Sequence, residues 1–428
     1  MTKGENGEPI QSTGTAFANI GVIVIDDATK KIESNSLFEI KEDTAKDATV
    51  AAAAQKIIDR IDKEYGAVFA KSEVVLNGAK APNGNRDSET NNGDLITDAM
   101  VWKILQDKES LTVDADHVVA VTNGGGIRKA INPGDVTKKN INEVLPFGNT
   151  VVTIYITGAE LLEALEASTY CTPDAIGGFP QVSGINYTIS TAVAYDANAE
   201  TYPASTYYGP KSINRVTINS INGKEFKADD TYAVITNDFC GGGGDTYYAF
   251  AAATAKFDTG IPLDEVVMEY ITAELKGVIG KQYAAPQGRI LMNPFKDVKT
   301  SAWYGSYVID LYNDGIINGT SATTYAPNDT LTWAAALKLL LVSHGDLKAA
   351  DATGADWSKN TIAKAAELGL VAADLDGAKA ISRLEFCQVA AKLNKLAESK
   401  TESKFTDCTD GYVMALVDAK VISGMTET

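Results

Sequence analysis

The apolar residues of this chain change period several times, and each change marks an element. Between Phe17 and Ile40 they gather into two runs, FANIGVIVID and IESNSLFEI, around the polar turn DDATKK, which predicts a pair of strands. From Asp47 to Tyr65 the spacing turns helical, with Val50, Ala54, Ile57, Ile58 and Ile61 on one stripe. Residues 77–92, rich in Asn, Gly, Asp and Ser, read as a long loop before a new unit. Helical spacing returns at Leu95, Ala99, Trp102 and Leu105, followed by the strand HVVAVT, the glycine loop NGGGIR, the turn NPGD and the strand TVVTIYIT. Thr157 and Glu160 form a Thr-x-x-Glu capping box that opens the helix GAELLEALEAS. Strand-like runs then dominate residues 182–236: VSGINYTIS, RVTINSI and TYAVITN. Strands and helices mixed in this way predict an α/β or α+β unit ending near Met292.

After Asn293 the strand runs stop and helix-sized segments alternate with short loops. Phe295-Lys-Asp297 recurs as Phe405-Thr-Asp407, and LYNDGIING (311–319) as LVDAKVISG (416–424). AELGLVA (366–372) fills a middle copy, and AISRLEF (380–386) matches TLTWAAA (330–336). Residues 295–428 therefore read as three helical copies of about 50–55 residues, the third stopping before its second half. Trp303, Leu311 and Leu340 are expected in the cores of these copies rather than at a ligand.

Charge narrows the function. The chain of 428 residues has 38 basic and 56 acidic side chains, a net charge of −18. A field of that sign repels nucleic-acid polymers and anionic membranes, so neither is an expected partner. A single phosphate fits only where local cations outweigh the global field. The two histidines, His117 and His344, lie far apart in sequence, which removes any metal site built on several imidazoles. The four cysteines, at 171, 240, 387 and 408, form no CxxC pair and predict neither a zinc ribbon nor a dense disulfide framework. No run of about 18 apolar residues is present to span a bilayer. The start, MTKGENGEPIQ, lacks the apolar core of a signal peptide, so the sequence as it stands predicts no export signal.

Only six of the cationic side chains are arginines, at 60, 86, 128, 215, 289 and 383. In so lysine-rich a chain, arginine marks positions where a rigid bidentate fork matters. Arg128 closes the loop Asn123-Gly-Gly-Gly-Ile-Arg128 directly after a strand, where open α/β sheets place their ligands. It is neither a P-loop nor a dinucleotide fingerprint, and a tight turn carrying a surface arginine is the plainer reading. Phe239-Cys-Gly-Gly-Gly-Gly-Asp245-Thr-Tyr247 also follows a strand. Its aromatic and carboxylate flanks suit a flat ligand with a polar edge, against the alternative of a flexible linker. In Leu145-Pro-Phe147-Gly-Asn149 the phenylalanine, taken alone, reads as core.

Together these segments resemble the C-terminal, substrate-binding domain of the 5′-nucleotidase family, which also includes UDP-sugar hydrolases and 2′,3′-cyclic phosphodiesterases. The resemblance rests on Arg86-x-x-Glu89-Thr-Asn91-x-Gly93-Asp94-Leu95-Ile-x-Asp98-Ala99, NGGGIR (123–128), LPFGN (145–149) and FCGGGGDTY (239–247), in family order. It implies that Arg86, Arg128 and Asn123 hold a substrate phosphate and that Phe147 and Phe239 sandwich the base. Asn149 and Asp245 would bind base or ribose, with Gly125 and Gly243 giving the ligand close approach. The implied ligand is a nucleotide, nucleoside or sugar nucleotide.

Relatives carry their catalysis on a dimetal phosphoesterase domain with Asp-x-His, Asn-His-Glu/Asp and Gly-His-x-His motifs, and none of these strings occurs here. Residues 1–46 resemble the tail of that domain, 47–79 a hinge or linker helix region, 80–292 the nucleotide-binding domain and 293–428 S-layer homology repeats. The implied divalent metal pair belongs to the absent catalytic domain, so this chain is expected to bind no cofactor and to be inactive alone. In the repeats, Phe295-x-Asp297-Val, Trp303-Tyr304, Gly315-Ile-Ile-x-Gly319, Tyr325-x-Pro327 and Leu331-Thr332 carry the S-layer resemblance. A Thr-Arg-Ala-Glu-like motif there implies contact with pyruvylated cell-wall polysaccharide. Ser382, Arg383 and Glu385 match it, whereas Thr332-Trp-Ala-Ala335 lacks both arginine and acid.

The expected fold is thus a mixed α/β domain followed by an all-α repeat region. The expected function is the nucleotide-recognition part of a secreted, wall-anchored 5′-nucleotidase-type phosphohydrolase of nucleotide catabolism, lying outside the cell. The alternative is a structural surface-layer protein whose nucleotidase-like domain no longer binds nucleotide.

Overall fold

A computed structural model describes residues 2–3, 9–10, 12–14, 17–194, 213–403 and 405–423. The chain divides into two units, Met1–Ala67 and Val68–Thr428. In the first, Asn19–Ile25 pairs antiparallel with Ile32–Glu39, Ile20 opposite Phe38. Asp26 holds the turn, its carboxylate accepting from the backbone N–H and hydroxyl of Thr29. The helix Ala48–Tyr65 starts at Asp47, whose carboxylate accepts the Val50 N–H at 2.9 Å. None of its residues is buried.

The second unit is built on a five-stranded sheet in the order Ala255–Pro262, Thr150–Thr157, Thr231–Asn237, Val118–Asn123, Pro180–Ser183. Its central pair, Thr231–Asn237 and Val118–Asn123, is parallel and every other pairing is antiparallel. Both faces are covered, which is why HVVAVT reads as a continuous apolar run rather than an alternating one. Val118 and Ala120 face one core with Leu95, Ile96, Ala99 and Met100 of the helix Asn91–Leu105. Val119 and Val121 face the other, with Leu161 and Leu165 of the helix Gly158–Ser168.

That second helix opens on the expected Thr157–Glu160 capping box, with both reciprocal bonds made. The run VSGINYTIS is two strands, Pro180–Ser183 and Ile185–Ser190, broken at Gly184 (φ +76°). Ile185–Ser190 leaves the main sheet to lie between Val216–Ile221 and Ile290–Asn293. Val68–Ser72, which the sequence places with the linker, is instead the centre of a third sheet between Val278–Ile279 and Gly134–Thr137. The strand Ala255–Pro262 and the helices Lys138–Val144 and Leu263–Ala273 also escape the pattern reading.

Beyond Asn293 the described residues are helical: Gly305–Asn313, Trp333–His344, Trp357–Glu367, Arg383–Leu393 and Gly411–Asp418, with a short 3-10 turn at Ala349–Ala352. Asn313 ties the first of them to the preceding sheet through both backbone groups of Met292, at 2.9 and 3.0 Å. The repeat signature is structural. Phe295 is buried against the rings of Tyr312 and Tyr325, and the Asp297 carboxylate accepts the N–H groups of Tyr325 and Ala326. Gly319 (φ +76°) is held so close to the Phe295 ring that a Cβ would lie 2.4 Å from it. Leu311 and Leu340 pack with these cores as expected. Trp303 does not: it is 85% exposed, because Tyr304 takes the inward position and Trp303 meets only its edge.

All five helices end on a left-handed residue, at Gly315, Gly345, Gly369, Lys395 and Lys420. The matched Leu311/Ile316, Ala365/Leu370 and Leu416/Val421 backbone bonds close the same terminal turn in each copy. Lys420 (φ +58°) stands where the earlier copies have glycine, and this conformation disfavours any residue with a Cβ. Lys420→Gly is therefore expected to stabilise the repeat region by about 0.5–1 kcal/mol. The check is its thermal midpoint beside that of Lys420→Ala, which should gain nothing. The expected match at Gly424 lies outside the described residues.

Candidate functional site

Four loops meet at one end of the main sheet because of how its strands run. Val118–Asn123 and Thr231–Asn237 are parallel, so the loops after Asn123 and Asn237 leave from the same end. Thr150–Thr157 and Pro180–Ser183 run the other way, so the segments that precede them, 145–149 and 176–179, arrive there. Ligands of open α/β sheets gather at such strand ends.

Asn123 and Asn237 join the loops. Asn237 donates to Thr122 Oγ1 at 3.0 Å and Asn123 Oδ1 at 3.1 Å, while its own oxygen accepts the Cys240 N–H. Asn123 in turn donates to Asp245 Oδ2 at 2.7 Å. Both ends of the Asn123 amide are thereby engaged, and it sets the position of Asp245. Burial pushes the Asp245 carboxyl up, opposed by the Asn123 bond and the Arg86 charge. Asp245 itself sits at φ +51°, in a loop that opens with the helical turn Asp238–Gly241 and continues through Gly243 (φ +89°). This is a shaped turn, not a flexible linker.

The glycines are required by space as well as by φ. Gly124 donates to Phe179 O at 2.7 Å and Gly125 to Gly177 O at 2.7 Å, drawing the glycine loop onto the segment 176–179. A Cβ on Gly244 would strike the Phe239 ring at 2.6 Å. Phe239 (43%) and Phe147 (60%) are both exposed, so Phe147 is not the core residue it resembles in isolation. Asn149 bonds Asp238 Oδ1 at 2.7 Å, tying the Phe147 turn to the residue before Phe239. The Arg128 guanidinium lies over the Phe147 ring at 5.5 Å and donates to Gly125 O at 3.1 Å, so the side chain is seated between these two loops. Arg86 Nε is buried without a hydrogen-bond partner among the described residues. A donor left in that state is costly unless a ligand supplies the acceptor.

The rest of the string around Arg86 serves the frame. Glu89 accepts the N–H groups of Gln287 and Ile290, each at 2.8 Å. Asn91 bonds Val75 O, Tyr283 O and the Asn77 N–H. Asp98 pairs with Arg289 at 2.8 Å and accepts from Tyr283 and Ser183. These side chains fasten the helix Asn91–Leu105 and the residues before it to the segment 283–290. Sequence reasoning passed over Asn237 and Gly177. A signal for both was present: each central strand ends in Thr-Asn, and Ile176-Gly-Gly-Phe179 is one more glycine pair directly before a strand.

Residues 68–252 match the family model for the 5′-nucleotidase C-terminal domain, and residues 294–336 that for the S-layer homology domain. This chain carries a 5′-nucleotidase C-terminal domain followed by an S-layer homology domain. It is 32% identical over 67% of its length to the trifunctional nucleotide phosphoesterase protein YfkN of Bacillus subtilis, of which it covers 18%. Against a snake venom 5′-nucleotidase of Macrovipera lebetinus the identity is 28%, over 65% of each chain. The 5′-nucleotidase precursor of Thermus thermophilus is similar in structure, with a TM-score of 0.46 and 28% identity over 64% of this chain and 50% of that one. The chain thus spans less than two thirds of the length of these relatives.

In the 5′-nucleotidase C-terminal domain His117 bonds Asp116 at 2.7 Å and Asp230 at 3.3 Å, and in the repeats His344 pairs with Asp346. Among the described residues no group of three or more His, Cys, Asp or Glu side chains is arranged to hold a metal. Among the described residues, too, no helix is long and apolar enough to cross a membrane. The S-layer homology domain indicates association with the cell surface or S-layer. Beyond the matched residues 294–336, Ser382 and Glu385 form the capping box of the helix Arg383–Leu393, and Arg383 stays exposed.

Proposed function

We propose that the domain over residues 68–292 recognises a nucleotide, nucleoside or sugar nucleotide as the binding part of an extracellular, wall-anchored 5′-nucleotidase-type phosphohydrolase. The observation that carries this reading is the convergence at one sheet end of two exposed rings, a seated arginine and a buried carboxylate. Arg128 and the unsatisfied Arg86 donor bind the phosphate, Phe147 and Phe239 offer faces to the base, and Asp245 accepts from ribose hydroxyls. Base–aromatic stacking contributes about 1–3 kcal/mol for each ring. Asn149 and Asp238 hold the two aromatic loops in register, and Gly125 and Gly243 leave room for the ligand. Through its S-layer homology region the chain meets cell-wall polysaccharide, with the exposed Arg383 of the Ser382-Arg383-Leu-Glu385 motif supplying the cation.

Titration calorimetry with AMP, adenosine and UDP-glucose tests the reading, and no heat or thermal stabilisation at millimolar ligand would refute it. Arg128→Ala is expected to weaken AMP by about ten- to a hundredfold, as for one charge-assisted contact. Adenosine should lose only about two- to fivefold, through the cation no longer backing the Phe147 ring. Equal losses for the two ligands would remove Arg128 from the phosphate.

A further inference from the structure

The four cysteines are all free thiols, yet two of them share one hydrophobic cluster. Cys387 lies on the helix Arg383–Leu393, buried with Ala390, Ala391, Val413 and Leu416. Cys408, half-buried, packs against the same cluster from the segment that leads into the helix Gly411–Asp418. The segments are fastened beside the cysteines: Gln388 donates to Asp410 Oδ2 at 2.8 Å, and Lys392 lies over the Tyr412 ring. Cys171 and Cys240 belong to the α/β domain, where Cys240 is fully buried.

We infer that Cys387 and Cys408 form a disulfide that staples the second helical repeat to the third when the chain is exposed to the oxidising surroundings of the cell surface. The oxidant is a low-molecular-weight disulfide. Cys408, the more accessible, attacks it as thiolate: a protein–small-molecule S–S bond forms and one small thiol leaves. Cys387 then attacks the Cys408 sulfur and the second small thiol leaves. Two protein S–H groups are oxidised, one external disulfide is reduced, and both protons end on the released thiols. Burial pushes the Cys387 thiol up, Arg383 opposing and the neighbouring Cys408 charge adding to it, so Cys387 acts second, when its target is held beside it. The bond closes the loop between positions 387 and 408, which limits the unfolded chain more than the folded one.

Incubating the full chain with oxidised glutathione, followed by non-reducing peptide mapping, tests this. The expected product joins the peptides containing Cys387 and Cys408, leaves Cys171 and Cys240 as thiols, and melts about 5–10 °C higher in its C-terminal transition than the reduced chain. Reductant should abolish the shift, and Cys408→Ser should lack it while matching the reduced midpoint. Four free thiols after treatment, a persistent glutathione adduct on Cys408, or cross-links between chains would each overturn the proposal. So would a reductant-sensitive shift that survives in Cys408→Ser.

Discussion

Gly124→Ala is expected to destabilise the α/β domain by about 3–4 kcal/mol, enough to threaten folding at ordinary temperatures. The alanine Cβ would stand 1.6 Å from Asn85 O and 2.5 Å from its carbonyl carbon, so backbone, not a flexible side chain, must move. What would give way is the contact between the glycine loop and the Arg86 segment. The same shift would stretch the Gly124 to Phe179 bond and carry Arg86 away from Asp245. Gly126→Ala is the control, since its Cβ would meet only the Asn123 side-chain oxygen, at 3.2 Å. Urea denaturation followed by tryptophan fluorescence reads both variants. Near-equal midpoints would show that the loop can relax and that space does not explain the glycine.

Arg289→Met should cost a comparable amount, about 3–5 kcal/mol, for an electrostatic reason. Arg289 pairs with Asp98 at 2.8 Å and faces Asp94 at 3.5 Å, with Glu89 close by. Its neighbours' charges hold the guanidinium protonated even though burial works against it. Asp94 has no exposed surface, and burial, with the Glu89 charge adding to it, pushes its carboxyl up to about 8 despite the arginine. A raised folded-state value means that the folded chain binds the extra proton between pH about 4 and 8. The Asp94 contribution to stability therefore falls as pH rises through that window. Without Arg289 the carboxyl rises further, so the stability loss should deepen toward alkaline pH and shrink toward pH 5. Denaturation midpoints across that range check the sign, and a loss independent of pH would assign the arginine a packing role.

Local elements were legible because their signals are local. The Thr157–Glu160 box, the helical spacing between Asp47 and Tyr65 and the stripe Leu95, Ala99, Trp102 need only their own neighbours, and each marks the helix it predicts. Leu263–Ala273 was missed although its apolar spacing is helical, because Pro262 provides no capping side chain to mark its start. Trp303 was misplaced because a Trp-Tyr pair has two candidates for one inward position, and only packing against Phe295 chooses Tyr304. Phe147 was legible as a ligand residue only through its motif; alone, an apolar ring beside a turn reads as core.

By itself the sequence determined the α/β unit, the helical repeat after Asn293, and the set of glycine loops and arginines from which a binding site could be built. Those follow from periodicity, caps and residue chemistry, which act over a few positions. Only the tertiary structure separated the residues of the long Arg86-to-Ala99 string by role. Arg86 is held near Asp245 and the glycine loop by a loop-to-loop bond, its carbonyl accepting the Ile176 N–H, while Glu89, Asn91 and Asp98 find their partners nearly two hundred positions away, at 283–290. The donor or acceptor capacity of each follows from its residue type alone. Which of it remains for a ligand depends on which backbone groups the distant chain presents, and no local rule contains that information.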